Sequence, residues 1–224
     1  MTRPLLLAAG ACVVLAAAPL AAQRNLWWNA EISGIGMRLN SQTGPSTQKW
    51  SGAAFGLQSQ ILYRNRITLD LGYWQGKLNG VGTGDRDVVE GYAQLGARPA
   101  SWLSLRAGPH AWTYISDAGT QRWFLMEGRA RAQGQILPAV QSYLELWKVF
   151  SANVNVPQAF QSGTGGEGGL SLRIRDVPFV PERLPVRIRL AYGIERVRMS
   201  GTQAQGSRAE VLDRLTLGLA VEAP

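Results

Sequence analysis

The sequence predicts an all-β protein: a closed antiparallel up-and-down transmembrane β-barrel of about ten strands, preceded by a signal peptide. Three observations predict it. Segment after segment alternates apolar and polar residues with period two, the side-chain repeat of a strand with two unlike faces. The polar face is built of Gly, Ser, Gln, Glu and Arg with very few Lys, which suits a confined lumen where forked arginine–carboxylate pairs form better than it suits a solvated sheet. Aromatic residues gather near strand ends, and long connections alternate with short ones.

At the N-terminus, Arg3 precedes an apolar run over residues 5–20 and the small pair Ala21-Ala22. This is the layout of a secretory signal peptide, so residues 1–22 are set apart and residues 23–224 read as a single barrel domain. Ala9 occupies the position where a lipoprotein signal around Cys12 would carry a large aliphatic residue. Cys12 is the only cysteine, so removal of the signal leaves no disulfide and no thiol chemistry. A hydrophobic share of 46% supplies a large lipid-facing surface without a second long apolar segment. The formal charge of +8 comes almost wholly from arginines spaced by alternation inside strands, a pattern that excludes a nucleic-acid-binding tail.

The first strand, 26–39, sets Trp28, Ala30, Ile32 and Gly34 against Asn29, Glu31 and Ser33, and a polar loop is expected over 40–48. The second, 50–63, opposes Ala53, Phe55, Leu57 and Ile61 to Gly52, Gly56, Gln58 and Gln60, and ends in the short turn Arg64-Asn65-Arg66. In the third, Ile67, Leu69, Leu71 and Tyr73 face away from Thr68, Asp70, Gly72 and Trp74, before a Gly/Asp loop over 79–86. The fourth, 87–97, directs Glu90, Tyr92 and Gln94 one way and Val89, Ala93 and Leu95 the other, and turns at 98–101. The fifth, 102–116, opposes Leu103, Leu105, Ala107 and Ile115 to Ser104, Arg106, His110 and Trp112.

Residues 121–152 hold the clearest unit, a hairpin turning at Pro138, where proline cannot continue a ladder. One face of its first strand reads Glu127, Arg129, Arg131, Gln133 and Gln135; the other carries no charge. Antiparallel pairing about Pro138 puts Arg131 opposite Glu145, within reach of a charge-assisted hydrogen bond. A loop is expected over 153–165, with the glycine-rich stretch 163–169 as a flexible lead into the eighth strand, where Leu170, Leu172 and Ile174 oppose Glu167, Ser171, Arg173 and Arg175. A connection punctuated by Pro178, Pro181 and Pro185 precedes the ninth strand, in which Val186, Ile188, Leu190, Tyr192 and Ile194 face away from Arg187, Arg189 and Glu195. The tenth, 209–222, sets Leu215, Leu217, Leu219 and Val221 against Arg214, Thr216 and Gly218.

Each strand is thus expected to approach the roughly 9 to 11 residues that a tilted strand needs to cross a bilayer. Two aromatic girdles are expected: Trp50, Tyr73, Trp112, Tyr114, Trp123, Phe124 and Phe150 at the long-loop rim, and Trp27, Trp28, Tyr63 and Trp102 at the other. A soluble periplasmic ligand-binding barrel gives the same binary string with its faces reversed, and is the rival architecture.

Over residues 23–224 this pattern resembles the small bacterial outer-membrane β-barrels, in general layout rather than through a specific motif. Such proteins end their last strand with a polar residue, a glycine and a terminal aromatic; Thr216, Gly218 and Val221 follow the layout, and Ala223 occupies the aromatic position. The resemblance implies a place in the cell outer membrane among lipid and lipopolysaccharide, insertion by the barrel assembly machinery, both termini in the periplasm and the long loops outside.

No cofactor-binding motif, metal-ligand spacing, phosphate loop or nucleophile motif is legible, and no ligand can be read from the loops. The lumen face offers Glu31, Asp70, Glu90, Glu127, Glu145, Glu167 and Glu195 as acids. Its bases are Arg106, Arg129, Arg131, Arg173, Arg175, Arg187, Arg189 and Arg214. An ion-pair network centred on Asp70, Glu90, Arg106, Glu127, Arg129, Arg131, Glu145, Arg173, Arg187 and Arg189 is the expected filling, giving a barrel of structural or narrow-pore type. The alternative is an outer-membrane hydrolase. It rests on His110, the only histidine, which a turn centred near Ala100 pairs with Glu90, with Glu127 at a similar height. General acid-base chemistry needs such a group, but no Ser, Cys or second His stands in position to serve it.

Overall fold

The computed structural model describes residues 25–174, 184–201 and 206–223. Ten strands run in chain order: β1 (Leu26–Thr43), β2 (Ser46–Tyr63), β3 (Ile67–Gly80), β4 (Arg86–Ala100), β5 (Leu103–Ser116), β6 (Gly119–Leu137), β7 (Val140–Val154), β8 (Ala159–Ile174), β9 (Val186–Ser200) and β10 (Arg208–Ala223). Each pairs antiparallel with its neighbours in sequence, and β1 closes onto β10. Closure leaves no edge strand, so the ladder satisfies the backbone throughout, as a hydrocarbon environment requires. The signal-peptide expectation for residues 1–22, Arg175 of the eighth strand, Pro178, Pro181 and Pro224 lie outside the described residues.

Alternation sorts the side chains as the sequence predicts. Leu95, Leu146 and Leu217 point outward and are 62%, 57% and 60% exposed, whereas Asp70, Glu90, Arg106 and Glu127 point inward and are buried. In a soluble barrel these faces are exchanged; an apolar exterior around a charged interior is the arrangement of a barrel that crosses lipid.

Strand length departs from expectation. The strands run from 14 residues in β3 and β5 to 19 in β6. At about 3.3 Å per residue and a tilt near 45°, the 18-residue β1 and β2 stand roughly 10 Å taller than the shortest strands. The loop expected over 40–48 is therefore mostly ladder: Asn40 to Thr43 pair with Ser46 to Lys49, leaving Gly44 and Pro45 as the turn. Polar side chains end the lipid-facing belt there, but backbone pairing does not depend on them. Similarly the loop of 153–165 contracts to residues 155–158, and the elaborated rim consists of tall hairpins more than of long loops.

The glycine-rich stretch is also ladder. Gly163 to Gly169 sit within β8, paired with β7 on one side and β9 on the other. A Cβ at Gly165 would meet the Trp147 ring at 2.3 Å, and one at Gly169 the Tyr143 ring at 2.5 Å. The glycines are where two large lumen side chains of β7 lie flat against the wall.

The aromatic girdle needs correction too. Trp50, Trp112, Tyr114 and Trp123 are buried inside the barrel, Trp27 borders the lumen cavity and Trp28 is buried. Alternation explains the first four, since Trp112 shares a face with Arg106 and His110. Tyr63, Trp102, Tyr73, Phe124 and Phe150 do lie on the outer surface. In the three-residue β2–β3 turn, Arg64 and Asn65 both adopt positive φ (51° and 54°), left-handed conformations that suit the right-handed twist of the flanking strands, and the Arg66 N–H donates to the Tyr63 carbonyl at 3.0 Å.

The lumen as candidate functional site

The lumen is filled in two storeys. The storey nearer the chain termini is polar, and inward residues of all ten strands meet there. Arg106 Nη1 lies 3.0 Å from Asp70, and its other arm pairs with Glu145. Arg129 bridges Glu145 and Glu127 at 3.0 and 2.7 Å. The Gln60 amide donates to Asp70 at 2.6 Å, and Gln94 donates to Glu127 at 2.6 Å. Across the lumen Arg189 joins Glu31 (2.7 Å) to Glu167 (3.0 Å) and donates to the Tyr143 hydroxyl, which in turn donates to Glu167. These carboxylates have exchanged water for charge-assisted hydrogen bonds, which is the condition for burying them at tolerable cost.

Arg131 stands directly opposite Glu145 in the ladder, the register that a turn at Pro138 gives. Their charged atoms are nevertheless 3.8 Å apart, and Arg131 lies 3.7 Å over the Tyr143 ring, because Arg106 and Arg129 occupy Glu145 more closely. Two members of the expected network stand apart from it. Arg187 pairs with Glu222 at the terminal rim (2.8 Å), and Arg173 is exposed, with no ion pair among the described residues. Both lie near strand ends, below the level of the buried acids.

His110 is fully buried. Its Nε2 lies 2.8 Å from Glu90 and its Nδ1 3.2 Å from Glu127, so the expected row of three is present. The register that forms it is different from the expected one: Glu90 is opposite Trp112 and Tyr92 opposite His110, with an irregularity between Ala97 and Ala100. The turn falls at Ser101-Trp102, with Ala100 opposite Leu103, and the extra residue on the β4 side takes back one position, so the register lies two residues from one centred on Ala100 and the Glu90 side chain reaches His110 on the diagonal. Arg214 of β10 then holds Glu90 at 2.7 Å and Glu195 of β9 at 3.5 Å. Among the described residues no Ser, Thr or Cys hydroxyl or thiol hydrogen-bonds to the imidazole.

One atom set was not legible in the sequence. A nitrogen of His110 and one carboxylate oxygen each of Glu127 and Glu195 lie within 4.8 Å of one another, all buried. Glu195 shares alternation with Arg189, so its inward direction was readable, but its meeting with β5 across the lumen was not.

The second storey, toward the tall hairpins, is apolar. Ile35, Met37, Leu39, Leu78, Trp112, Trp123, Leu125 and Met199 are buried in one cluster, with the Trp112 and Trp123 rings 5.5 Å apart and His110 edge-on to Trp112 at 5.2 Å. Beyond it, Arg86 stacks 3.7 Å over Trp50 and Arg208 pairs with Glu210. A cavity of about 360 Å³ occupies the polar storey, bordered by Glu90, Arg129, Glu195 and Arg214 at depth and reaching Asn65 of the β2–β3 turn and Arg98 near the end of β4 at the terminal rim.

Comparison with protein-family models and with curated proteins finds no match. Among solved structures the chain is similar to the outer membrane protease OmpT from Escherichia coli, at 9% identity over 90% of this chain and 97% of that one, with a TM-score of 0.47. It is similar also to the translocator domain of the autotransporter NalP from Neisseria meningitidis (9% identity, 97% of each chain, TM-score 0.44) and to Neisserial surface protein A (10%, 87% of this chain and 96% of that one, 0.37). At these identities the likeness is one of fold.

Proposed function

We propose that the protein is a small outer-membrane barrel of structural type whose lumen is closed to solutes and which carries out no catalysis. Its apolar belt would meet outer-membrane lipid and lipopolysaccharide, and its strands would be inserted by the barrel assembly machinery. The observation that carries the closed reading is the apolar storey, in which Trp112, Trp123, Leu39 and Leu125 pack in mutual contact above the ion pairs. A passage lined by such residues excludes water and ions, which lose hydration without finding partners. That storey disfavours the narrow pore more strongly than the ion pairs alone would. The hydrolase reading is weaker: His110 is 0% exposed and its ring nitrogens face carboxylates, so no substrate group has access to it.

Planar-bilayer recording tests the proposal. The intact protein is expected to give no steady conductance, and Arg131→Ala alone is expected to leave the current at baseline because the apolar storey remains shut. Trp112→Ala combined with Trp123→Ala is expected to admit a measurable current. Large open-channel currents from the unaltered protein would refute the closed reading.

A further inference from the structure

We propose that His110, Glu127 and Glu195 form a zinc site at the middle of the lumen, tying β5, β6 and β9 together. Each of the three residues keeps one donor atom turned toward the others, and these atoms lie within 4.8 Å of one another. Each has its remaining polar atom held from behind. His110 Nε2 lies 2.8 Å from Glu90. Glu127 Oε1 accepts from Gln94 at 2.6 Å and from Arg129 at 2.7 Å. Glu195 Oε2 faces Arg214 at 3.5 Å. A carboxylate behind a histidine, and hydrogen bonds behind ligating carboxylates, are the supports that orient metal ligands and fix the histidine tautomer.

One further observation points to an ion. Glu195 is 3% exposed, and its Oε1 accepts no hydrogen bond from the described residues, although a buried carboxylate oxygen left without a partner is costly. One nitrogen and two carboxylate oxygens suit zinc, with a fourth position left for water. Tetrahedral zinc needs ligand atoms about 3.4 Å apart, so binding would draw the three atoms closer than the 4.8 Å within which they lie. The cavity bordered by Asn65 and Arg98 at the rim reaches Glu90 and Glu195, so an ion would approach from the Glu195 side, with His110 and Glu127 behind the cavity lining.

The test is zinc titration of the full-length folded barrel in detergent after chelator treatment, read against a chromophoric zinc chelator, with heat-modifiable gel migration reporting folding of every variant. The expected result is one saturable zinc per barrel at micromolar or tighter affinity. Folded Glu195→Gln and folded His110→Gln should each lose it, and Glu90→Gln should weaken it about 10- to 100-fold. Glu222→Gln, which removes a carboxylate at the rim, should bind as the unaltered protein does. X-ray absorption at the zinc edge should report a mixed nitrogen–oxygen shell. Absence of saturable binding, or unchanged binding by folded Glu195→Gln, would overturn the site; should Glu195→Gln not fold, unchanged binding by His110→Gln or a shell without nitrogen would do so.

Discussion

Three guanidiniums converge on Glu145, from Arg106, Arg129 and, at longer range, Arg131. Replacing it with glutamine keeps the shape and removes the charge that lets Arg106 and Arg129 remain buried. Glu145→Gln is therefore expected to cost about 3 to 5 kcal/mol, the penalty of an uncompensated buried charge, read as a lower urea midpoint in detergent or vesicles. His110→Gln in zinc-free protein should cost about 1 to 3 kcal/mol, because the glutamine N–H groups can donate to one of Glu90 and Glu127 while its carbonyl oxygen finds no donor in the other. A loss as large as that of Glu145→Gln would mean that an amide does not replace the ring. At this scale the sequence was informative about direction. Glu90, Arg106, His110, Glu127, Arg129 and Glu145 all point inward as alternation requires. It was less informative about height: Arg173 and Arg187 share the same face but lie near the rim, outside the buried network.

At the scale of the element, β8 is the instructive strand. Its glycines read as a loop because glycine is depleted in strands, yet pairing on both sides holds them extended, and their missing side chains leave room for Trp147 and Tyr143. Gly165→Leu is expected to impair folding, since the added Cβ already overlaps the Trp147 ring and forces it off the wall. The companion Gly165→Leu/Trp147→Ala should recover heat-modifiable migration; failure of that rescue would mean that the glycine serves the backbone, not the ring. The β4–β5 register is a second case. A turn centred at Ala100 and one shifted by an irregularity between Ala97 and Ala100 preserve the same inward face, so alternation could not distinguish them.

For the whole molecule, the exchange of faces is the decisive property. Leu71→Arg, on the outer surface in mid-strand, is expected to cost about 2 to 4 kcal/mol and to block insertion into vesicles, while Gln58→Arg on the lumen wall should be mild. If Gln58→Arg proved the more damaging in that assay, the lipid-crossing assignment of the faces would fail. What the sequence by itself determined is everything that period two encodes: the number of strands, their order, and which residues of each look inward. Those are properties of one strand at a time, set by the pleat and by proline or paired turn residues such as Pro138 and Arg64-Asn65. Closure decided the rest. Whether Trp112 and Trp123 form a girdle or a seal depends on the barrel's radius, because an inward tryptophan closes a lumen only when another reaches it from a different strand. Likewise Glu195 of β9 meets His110 of β5 only because the sheet curls shut. Such cross-lumen distances depend jointly on strand number, tilt and stagger, and no local pattern in any one strand carries them.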